Sequence, residues 1–455
     1  MRFAAHAHEA AIGHNRSHGA GGLTRPYHAL RHPEFRRIWA TQLISQVGSQ
    51  MQSVALHWHI YLLTGSPLAL GAVGLTRALP TALFSLWGGV IADRRDRRLV
   101  MLAAQSGMTV VAVGLALLTL AHRETLFLLY TLNALGAAAG AFDNPARQAL
   151  IPRLVPPANL PGALALNLAM FQTALIAGPA LAGLMIAGHA GGALGGPAHP
   201  AASQGTGTIA AIYGLNALSF VGVLLALLTL RTSGAVDAPT GGHVPPLQAL
   251  GEGLRFVLTT PIMVWSMGLD FVATFFAGAM SLLPIVADKV LGVGAAGYGV
   301  LVAAPAVGAF LGSVYTAARP LPPRQGRILL VAVAGYGLAT VVFGLSRSYG
   351  LTILALALTG LADLVSTVIR QTLRQLLTPD RLRGRMTGVN MMFFIGGPQL
   401  GEVEAGLVAS LFASAVTGVT VSIVLGGAMT VLATAVVAAA TPVIREYVPP
   451  ATPPA

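Results

Sequence analysis

Ionisable side chains inside long apolar segments are the residues of this sequence best suited to chemistry. Arg77, Asp270 and Glu402 each stand within a mostly apolar stretch. Charges are costly in hydrocarbon and usually face a protein interior or a water-filled cavity. A carboxylate at that depth can carry a proton between two aqueous phases, or it can form a permanent ion pair with an arginine. Asp270 and Glu402 are therefore candidate proton carriers, whereas Asp363, which shares a helix face with Arg370, is expected to form a structural pair.

A stripe of polar side chains follows one face of the first apolar segment. At about 100° per residue its members fall within an arc of about 80°, and they are Gln42, Gln46, Ser49, Ser53 and His57. Amides and hydroxyls in this arrangement can bind a polar solute or hold helices together. We favour a solute cavity, to which Arg77, Asp270, Phe271, Phe275, Phe393 and Phe394 would also contribute.

The composition places these residues in a membrane protein. Of 455 residues, 55% are hydrophobic and only 9% are charged, whereas about a quarter of a soluble protein is charged. There is no cysteine, which excludes thiolate metal sites. The sole lysine, Lys289, follows Asp288, which excludes a Gly-Lys-Ser/Thr phosphate loop. We expect no cofactor, metal, nucleotide or nucleic acid, and no enzymatic activity. Four histidines near the start lie in a polar tail without the fixed geometry of a metal site: His6, His8, His14 and His18.

The apolar segments predict an all-α integral membrane protein with twelve transmembrane helices. A helix needs about 20 residues to cross a roughly 30 Å hydrocarbon core. Segments of this kind lie at about 35–63, 68–92, 99–121, 126–149, 162–187, 208–230, 261–287, 295–318, 328–346, 350–377, 386–414 and 418–440.

Basic residues predict the orientation of these spans. With the first loop outside, only Arg123, Lys289 and Arg347 fall in outer loops, and both termini lie in the cytoplasm. The chain then divides into a disordered cytosolic tail (1–32), a six-helix bundle (33–231), a cytoplasmic linker with an amphipathic helix (232–260), a second six-helix bundle (261–441) and a cytosolic tail (442–455).

An internal repeat relates the two predicted bundles. Six residues recur at one offset of 223 positions: Arg147, Gln148, Leu150, Leu154, Pro156 and Asn167 match Arg370, Gln371, Leu373, Leu377, Pro379 and Asn390. Both stretches connect the fourth span of a half to its fifth. Two pseudo-symmetric six-helix units around a central site are typical of secondary transporters.

The loop between the second and third spans resembles the signature of the major facilitator superfamily. It reads Gly89-Val-Ile-Ala-Asp93-Arg94-Arg95-Asp96-Arg97-Arg98, with Asp96 in place of the usual glycine. The resemblance implies a cytoplasmic gate formed by Gly89, Asp93, Arg94, Arg97, Arg98, Asp143 and Arg147. In that gate Asp93 would engage the start of the eleventh span, and Arg97 would pair with Asp143.

A second resemblance lies in the fifth span. Gly178-Pro179-Ala-Leu-Ala182-Gly183 is similar to the antiporter motif of exporters in this superfamily, with Ala182 replacing a glycine. Small residues at this spacing also permit close helix packing. Further segments resemble a siderophore-exporter branch: His32-Pro-Glu-Phe-Arg, Leu63-Thr-Gly-Ser-Pro67, Asp143-Asn-Pro-Ala-Arg-Gln148, Thr378-Pro-Asp-Arg-Leu-Arg-Gly-Arg385 and Gly401-Glu-Val-Glu-Ala-Gly406.

These features predict a monomeric, proton-coupled exporter of a small, siderophore-like organic solute in the bacterial inner membrane. Its partners would be the lipid bilayer, the solute and protons. The alternatives are a multidrug efflux antiporter of the same fold, an importer and a non-transporting membrane receptor. Loss of activity on neutralising the mid-membrane charges would separate a transporter from a receptor.

Overall fold

The regular structure of the described chain is helical throughout. The computed structural model describes residues 26–189, 202–232, 246–318, 324–379 and 382–447. Its helices are α1 Pro33–Thr64, α2 Pro67–Arg94, α3 Arg97–Leu120, α4 Leu126–Leu154, α5 Leu160–His189, α6 Ala202–Leu228, α7 Pro246–Thr259, α8 Pro261–Phe276, α9 Gly294–Ala318, α10 Gln325–Leu345, α11 Tyr349–Leu377, α12 Arg383–Ser410, α13 Ala415–Ala440 and α14 Pro442–Arg445.

Ten helical segments of the described residues are long and apolar enough to cross a membrane, counting Pro261–Val290 as one. The two remaining predicted spans correspond to α1 and α12, which have 32 and 28 residues. At about 1.5 Å per residue each exceeds a roughly 30 Å hydrocarbon core. Their lower hydropathy follows from the polar stripe of α1 and from the polar and charged residues of α12. The twelve predicted spans thus correspond to twelve long helical segments.

The seventh span changes helical type along its length. After α8 the chain continues through a 3₁₀ turn at Ala279–Leu282, one α-helical turn at Leu283–Ile285 and a π turn at Val286–Val290. The change begins at Gly278, where an added Cβ would lie 2.8 Å from the Cα of Gly401. Gly278 therefore lets this span approach the backbone of α12 closely.

The two halves pack in the same way, which confirms their pseudo-symmetry. In the first half α1 packs on α5 and α6, α3 on α4 and α6, and α2 on α4. The second half repeats these contacts: α8 packs on α12 and α13, α10 on α11 and α13, and α9 on α11. Two matching pairs join the halves, α2 with α12 and α5 with α9.

Among the described residues, the hydrophobic core is shared between the halves at one end only. We call this end, where α1 ends and α2 begins, the predicted outer end. One buried cluster there combines first-half residues such as Trp58 and Leu70 with second-half residues such as Leu283 and Tyr298. Toward the opposite end, one cluster belongs to the first half and another to the second. The halves are therefore joined at the predicted outer end and have separate cores toward the other.

The segments outside the bundles only partly follow the sequence predictions. Pro26–Arg31 form a 3₁₀ helix with Ala29 buried, so the predicted disordered tail is wrong in these residues. Residues 1–25 and 448–455 lie outside the described chain. The amphipathic helix expected in the linker corresponds to α7, while residues 233–245 are not among the described residues.

Candidate substrate cavity

The polar stripe of α1 differs in accessibility along its length. Gln42 is buried, and neither polar atom of its amide has a hydrogen-bond partner among the described residues. Gln46, Ser49 and Ser53 are half-buried. His57 is buried, with Nδ1 lying 2.8 Å from the carbonyl oxygen of Ser53. The part of the stripe open to a solute is therefore its middle, from Gln46 to Ser53.

Arg77 connects the stripe to the second half of the molecule. Its Nη1 lies 3.5 Å from the Ser53 hydroxyl oxygen, and it is an electrostatic neighbour of both His57 and Glu402. Glu402 lies at the crossing of α2 and α12, where an added Cβ on Gly74 would stand 2.9 Å from its carboxylate. An arginine and a carboxylate from opposite halves thus lie close to one another.

Glu402 is a carboxylate without a direct partner in the described chain. No described residue lies within ion-pair or hydrogen-bond distance of it. Among the described residues, therefore, no ion pair fixes this carboxylate in its charged form. Its position between the halves also means that its surroundings must change whenever the two halves move apart.

Asp270 lies in a different environment, because Arg370 of α11 forms an ion pair with it. The guanidinium also donates to the Thr367 hydroxyl at 2.9 Å, and it lies 3.8 Å from the carboxylate of Asp363. The Asp363 side chain is 48% exposed, against 16% for Asp270. Sequence analysis assigned Arg370 to Asp363, whereas the shorter contact is made with Asp270.

Two of the predicted aromatic contacts lie beside Asp270. The rings of Phe271 and Phe275 stack with centroids 5.9 Å apart, and both are half-buried on α8. An added Cβ on Gly397 would lie 3.6 Å from the ring of Phe271. The side chains of Phe393 and Phe394 are not among those the structure describes.

Arg97 and Asp143 are not paired in this structure, whose outer end is closed, and their pairing in the opposite conformation stays a prediction. Arg97 donates to the carbonyl oxygen of Ala149 at 3.3 Å. The buried carboxylate of Asp143 instead accepts a hydrogen bond of 2.9 Å from Gln105, and Arg147 lies 3.7 Å away, one turn along the same helix. Asp143 is thus occupied within its own half. Gly89 and the side chains of Asp93 and Arg94 fall outside the described part of the gate.

The rest of the loop motif caps helices. The side chain of Asp96 accepts a 2.8 Å hydrogen bond from the backbone N–H of Arg98 and begins α3. The φ of Asp96 is −56°, so no glycine is required there. Arg98 donates to the carbonyl oxygens of Leu228 and Leu230, at 2.9 and 3.0 Å. This contact with the end of α6, which sequence reasoning missed, places a cation where helix carbonyls favour one.

The exporter-like motif packs α5 on two helices. An added Cβ on Gly178 would lie 2.9 Å from the carbonyl oxygen of Val47 in α1. One on Gly183 would lie 2.8 Å from the Cα of Gly299 in α9, in the other half. The carbonyl oxygen of Pro179 also faces Gly299. These contacts support the packing interpretation of the motif, because small residues allow such backbone approach.

We expect Gly183→Val to force α5 and α9 apart, because the new side chain would overlap the backbone of α9. Amide hydrogen–deuterium exchange of the purified protein should rise several-fold at the start of α9. Gly222→Val is the matched control, since among the described residues no atom beyond the adjacent backbone of its own helix lies within 4 Å of an added Cβ there. Equal exchange in the two variants would contradict this role.

Two further contacts between the halves were not foreseen from the sequence. The Trp58 ring stacks on that of Tyr298 with centroids 5.5 Å apart and planes at 24°. The Tyr61 hydroxyl donates a hydrogen bond to the carboxylate of Asp288. Both contacts lie at the predicted outer end, above Arg77 and Glu402.

The fold and these contacts define a class of protein. Two bundles of long apolar helices, charged side chains between them and closure at one end define a multi-pass membrane protein with the architecture typical of secondary transporters. Among the described residues, no group of three or more His, Asp or Glu could hold a metal ion. The four tail histidines lie outside those residues.

The chain belongs to the transmembrane secretion effector family, whose model matches residues 24–447. Enterobactin exporters of Shigella boydii serotype 18 and Escherichia coli O81 are each 29% identical to it over 378 residues, or 82% of this chain and 85% of theirs. The resemblance to the major facilitator superfamily and to its siderophore-exporter branch is thereby confirmed.

Solved structures share the fold at lower sequence identity. A bacterial homologue of the lysosomal transporter Spinster, inward-facing and unoccupied, matches with a TM-score of 0.69 at 18% identity, over 92% of this chain and 99% of that one. An inward-facing bacterial homologue of ferroportin matches with a TM-score of 0.64 at 16% identity, over 89% and 97%.

Proposed function

We propose that this transporter is a proton-coupled exporter, which moves a small, siderophore-like organic solute outward across the bacterial inner membrane. The main support for this proposal is the set of charged side chains in the centre of the molecule. Arg77 of the first half and Glu402 of the second lie close together between the halves, and the Asp270–Arg370 pair lies in the second half. Rocking of the two halves would expose such a set to each side in turn.

Solute binding is assigned to the region between Arg77 and Asp270. Ser49 and Ser53 offer hydroxyl groups, Arg77 offers a cation, and Phe271 and Phe275 offer stacked aromatic faces. A cavity that combines aromatic surface with a few polar groups suits an aromatic, oxygen-rich solute. The exporter relatives act on enterobactin by name, which favours a siderophore over an unrelated drug.

Proton transfer is assigned to Glu402 ahead of Asp270. Arg370 stabilises the charged form of Asp270 directly, whereas the opposite charge that acts on Glu402 among the described residues is Arg77, which forms no ion pair with it. A group that carries a proton must exist in both forms during the cycle. The carboxylate without a bound cation meets this condition more readily.

We further propose that the protein acts as a monomer with both termini in the cytoplasm. The distribution of basic residues supports this orientation, since only Arg123, Lys289 and Arg347 lie in the predicted outer loops. With this orientation the closed end of the molecule faces the periplasm. The solute would then enter from the cytoplasm.

The test is proton flux in everted inner-membrane vesicles from a host that lacks siderophore exporters. Addition of a catecholate siderophore should discharge the internal acidity in vesicles that contain the protein, and not in vesicles without it. A response to lipophilic drugs alone would replace the proposed solute with the multidrug alternative. No response to either class would overturn the proposed export of these solutes.

A further inference from the structure

The predicted outer end contains a hydrogen bond between the halves that transport would have to break. Tyr61 lies near the end of α1, and Asp288 lies in the π turn of the seventh span. Tyr61 is buried, and its hydroxyl donates to the Asp288 carboxylate. Hydrogen bonds to a charged group are among the stronger ones in proteins. This bond can exist only while the outer end is closed.

An aromatic contact adds to this bond. Trp58, one turn before Tyr61, stacks on Tyr298 at the start of α9, and both rings are buried. Trp58 also contacts the ring of Tyr61, with centroids 5.4 Å apart. One turn of α1 therefore makes both a polar and an aromatic contact with the second half.

Backbone packing on either side supports the same closure. Gly71 of α2 faces Gly406 of α12, where an added Cβ would lie 2.8 Å from the opposite Cα. Gly183 of α5 faces Gly299 of α9 in the same way. These glycine contacts require only that the two backbones lie close together. The hydrogen bond between Tyr61 and Asp288 also requires one particular position of one half relative to the other. Separation here would also open the crossing of α2 and α12 where Glu402 lies.

We propose that Tyr61 and Asp288 form an outer latch, with Trp58 and Tyr298 as its aromatic seal. The latch residues are positioning residues, because they hold the cavity closed to the outside without contacting the solute. The inference rests on the proposed function, since only a transporter needs its outer end to open. Loss of the latch should shift the protein toward the outward-open state.

The absence of cysteine from the chain allows a direct test. Ser53→Cys places a single thiol at the half-buried part of the α1 stripe. A membrane-impermeant maleimide reports from which side of the membrane this thiol is accessible. In right-side-out membranes, adding Tyr61→Phe or Asp288→Ala should raise the labelling rate about 10-fold, because one hydrogen bond to a charge is lost from the closed state alone. The double variant should label no faster than the faster single variant.

Tyr130→Phe is the matched control. Its hydroxyl also makes a hydrogen bond, to the carbonyl oxygen of Ala69 at 2.6 Å, but within the first half. It should leave the labelling rate from outside unchanged. An equal rise in this control, or no rise in either latch variant, would overturn the latch. In everted membranes, labelling from the cytoplasmic side should not rise in the latch variants, whereas an unfolded variant would label faster from both sides.

The same measurement separates the latch from the proposed function, because labelling needs no solute. A latch effect without siderophore-driven proton movement would count against the proposed export alone. Proton movement with no latch effect would count against the latch alone.

Discussion

Glu402→Gln is expected to abolish uphill export while the protein still exchanges solute across the membrane. Glutamine keeps the shape of the side chain, but it cannot carry a proton. Uphill transport requires the proton and passive exchange does not, so the two activities should separate. Siderophore accumulation in everted vesicles under a proton gradient should fall to the level of vesicles without the protein.

Glu404→Gln is the matched control for this variant, because it changes the same residue type two positions along α12. Glu404 has no ion pair or hydrogen bond among the described residues and stands about 200° from Glu402 at about 100° per residue. It should retain uphill export. If Glu402→Gln accumulates solute normally, proton coupling must be reassigned, and Asp270→Asn becomes the next variant to test.

Removal of Arg370 is expected to have the largest effect on stability. Arg370→Met leaves Asp270 as a largely buried carboxylate without its cation, with Asp363 close by. Breaking a buried ion pair from one side typically costs about 3–5 kcal/mol. The variant should lose most of its folded yield, and its midpoint of thermal unfolding in detergent should drop clearly.

The double variant Arg370→Met with Asp270→Asn tests the physical cause. Without the second charge the penalty of an unpaired carboxylate disappears, so the midpoint should recover most of the loss. Asp363→Asn in place of Asp270→Asn should recover less, because Asp363 is more exposed and further from the guanidinium. Equal recovery with both partners would contradict the assignment of Arg370 to Asp270.

Local sequence patterns were reliable where they reflect one helix. The period of the α-helix, at about 100° per residue, points Glu402 and Glu404 in different directions, and the structure has Glu402 at the crossing of α2 and α12. The same period identified the α1 stripe. It could not show that Gln42 is buried while Ser53 is half-buried, because that depends on which helices cover each turn.

The resemblance to a family did not indicate the contacts that each charge makes in this conformation. It implied a pair between Arg97 and Asp143, whereas in this structure Gln105 of α3 and Arg147 contact that carboxylate. Gln105 lies outside the loop motif, so the motif gives no indication of this contact. A motif therefore predicted the fold, while the neighbours of each charge were decided by packing.

The sequence by itself determined the class of this protein and its plan. Twelve apolar segments require helices, because a bilayer offers no hydrogen bonds to an unpaired backbone, and the repeat at one offset indicates two equivalent halves. Only the tertiary structure decided the partners. The pairs Asp270 with Arg370 and Tyr61 with Asp288 join residues 100 and 227 positions apart. Such contacts depend on how helices cross, and no periodicity within a single helix encodes that.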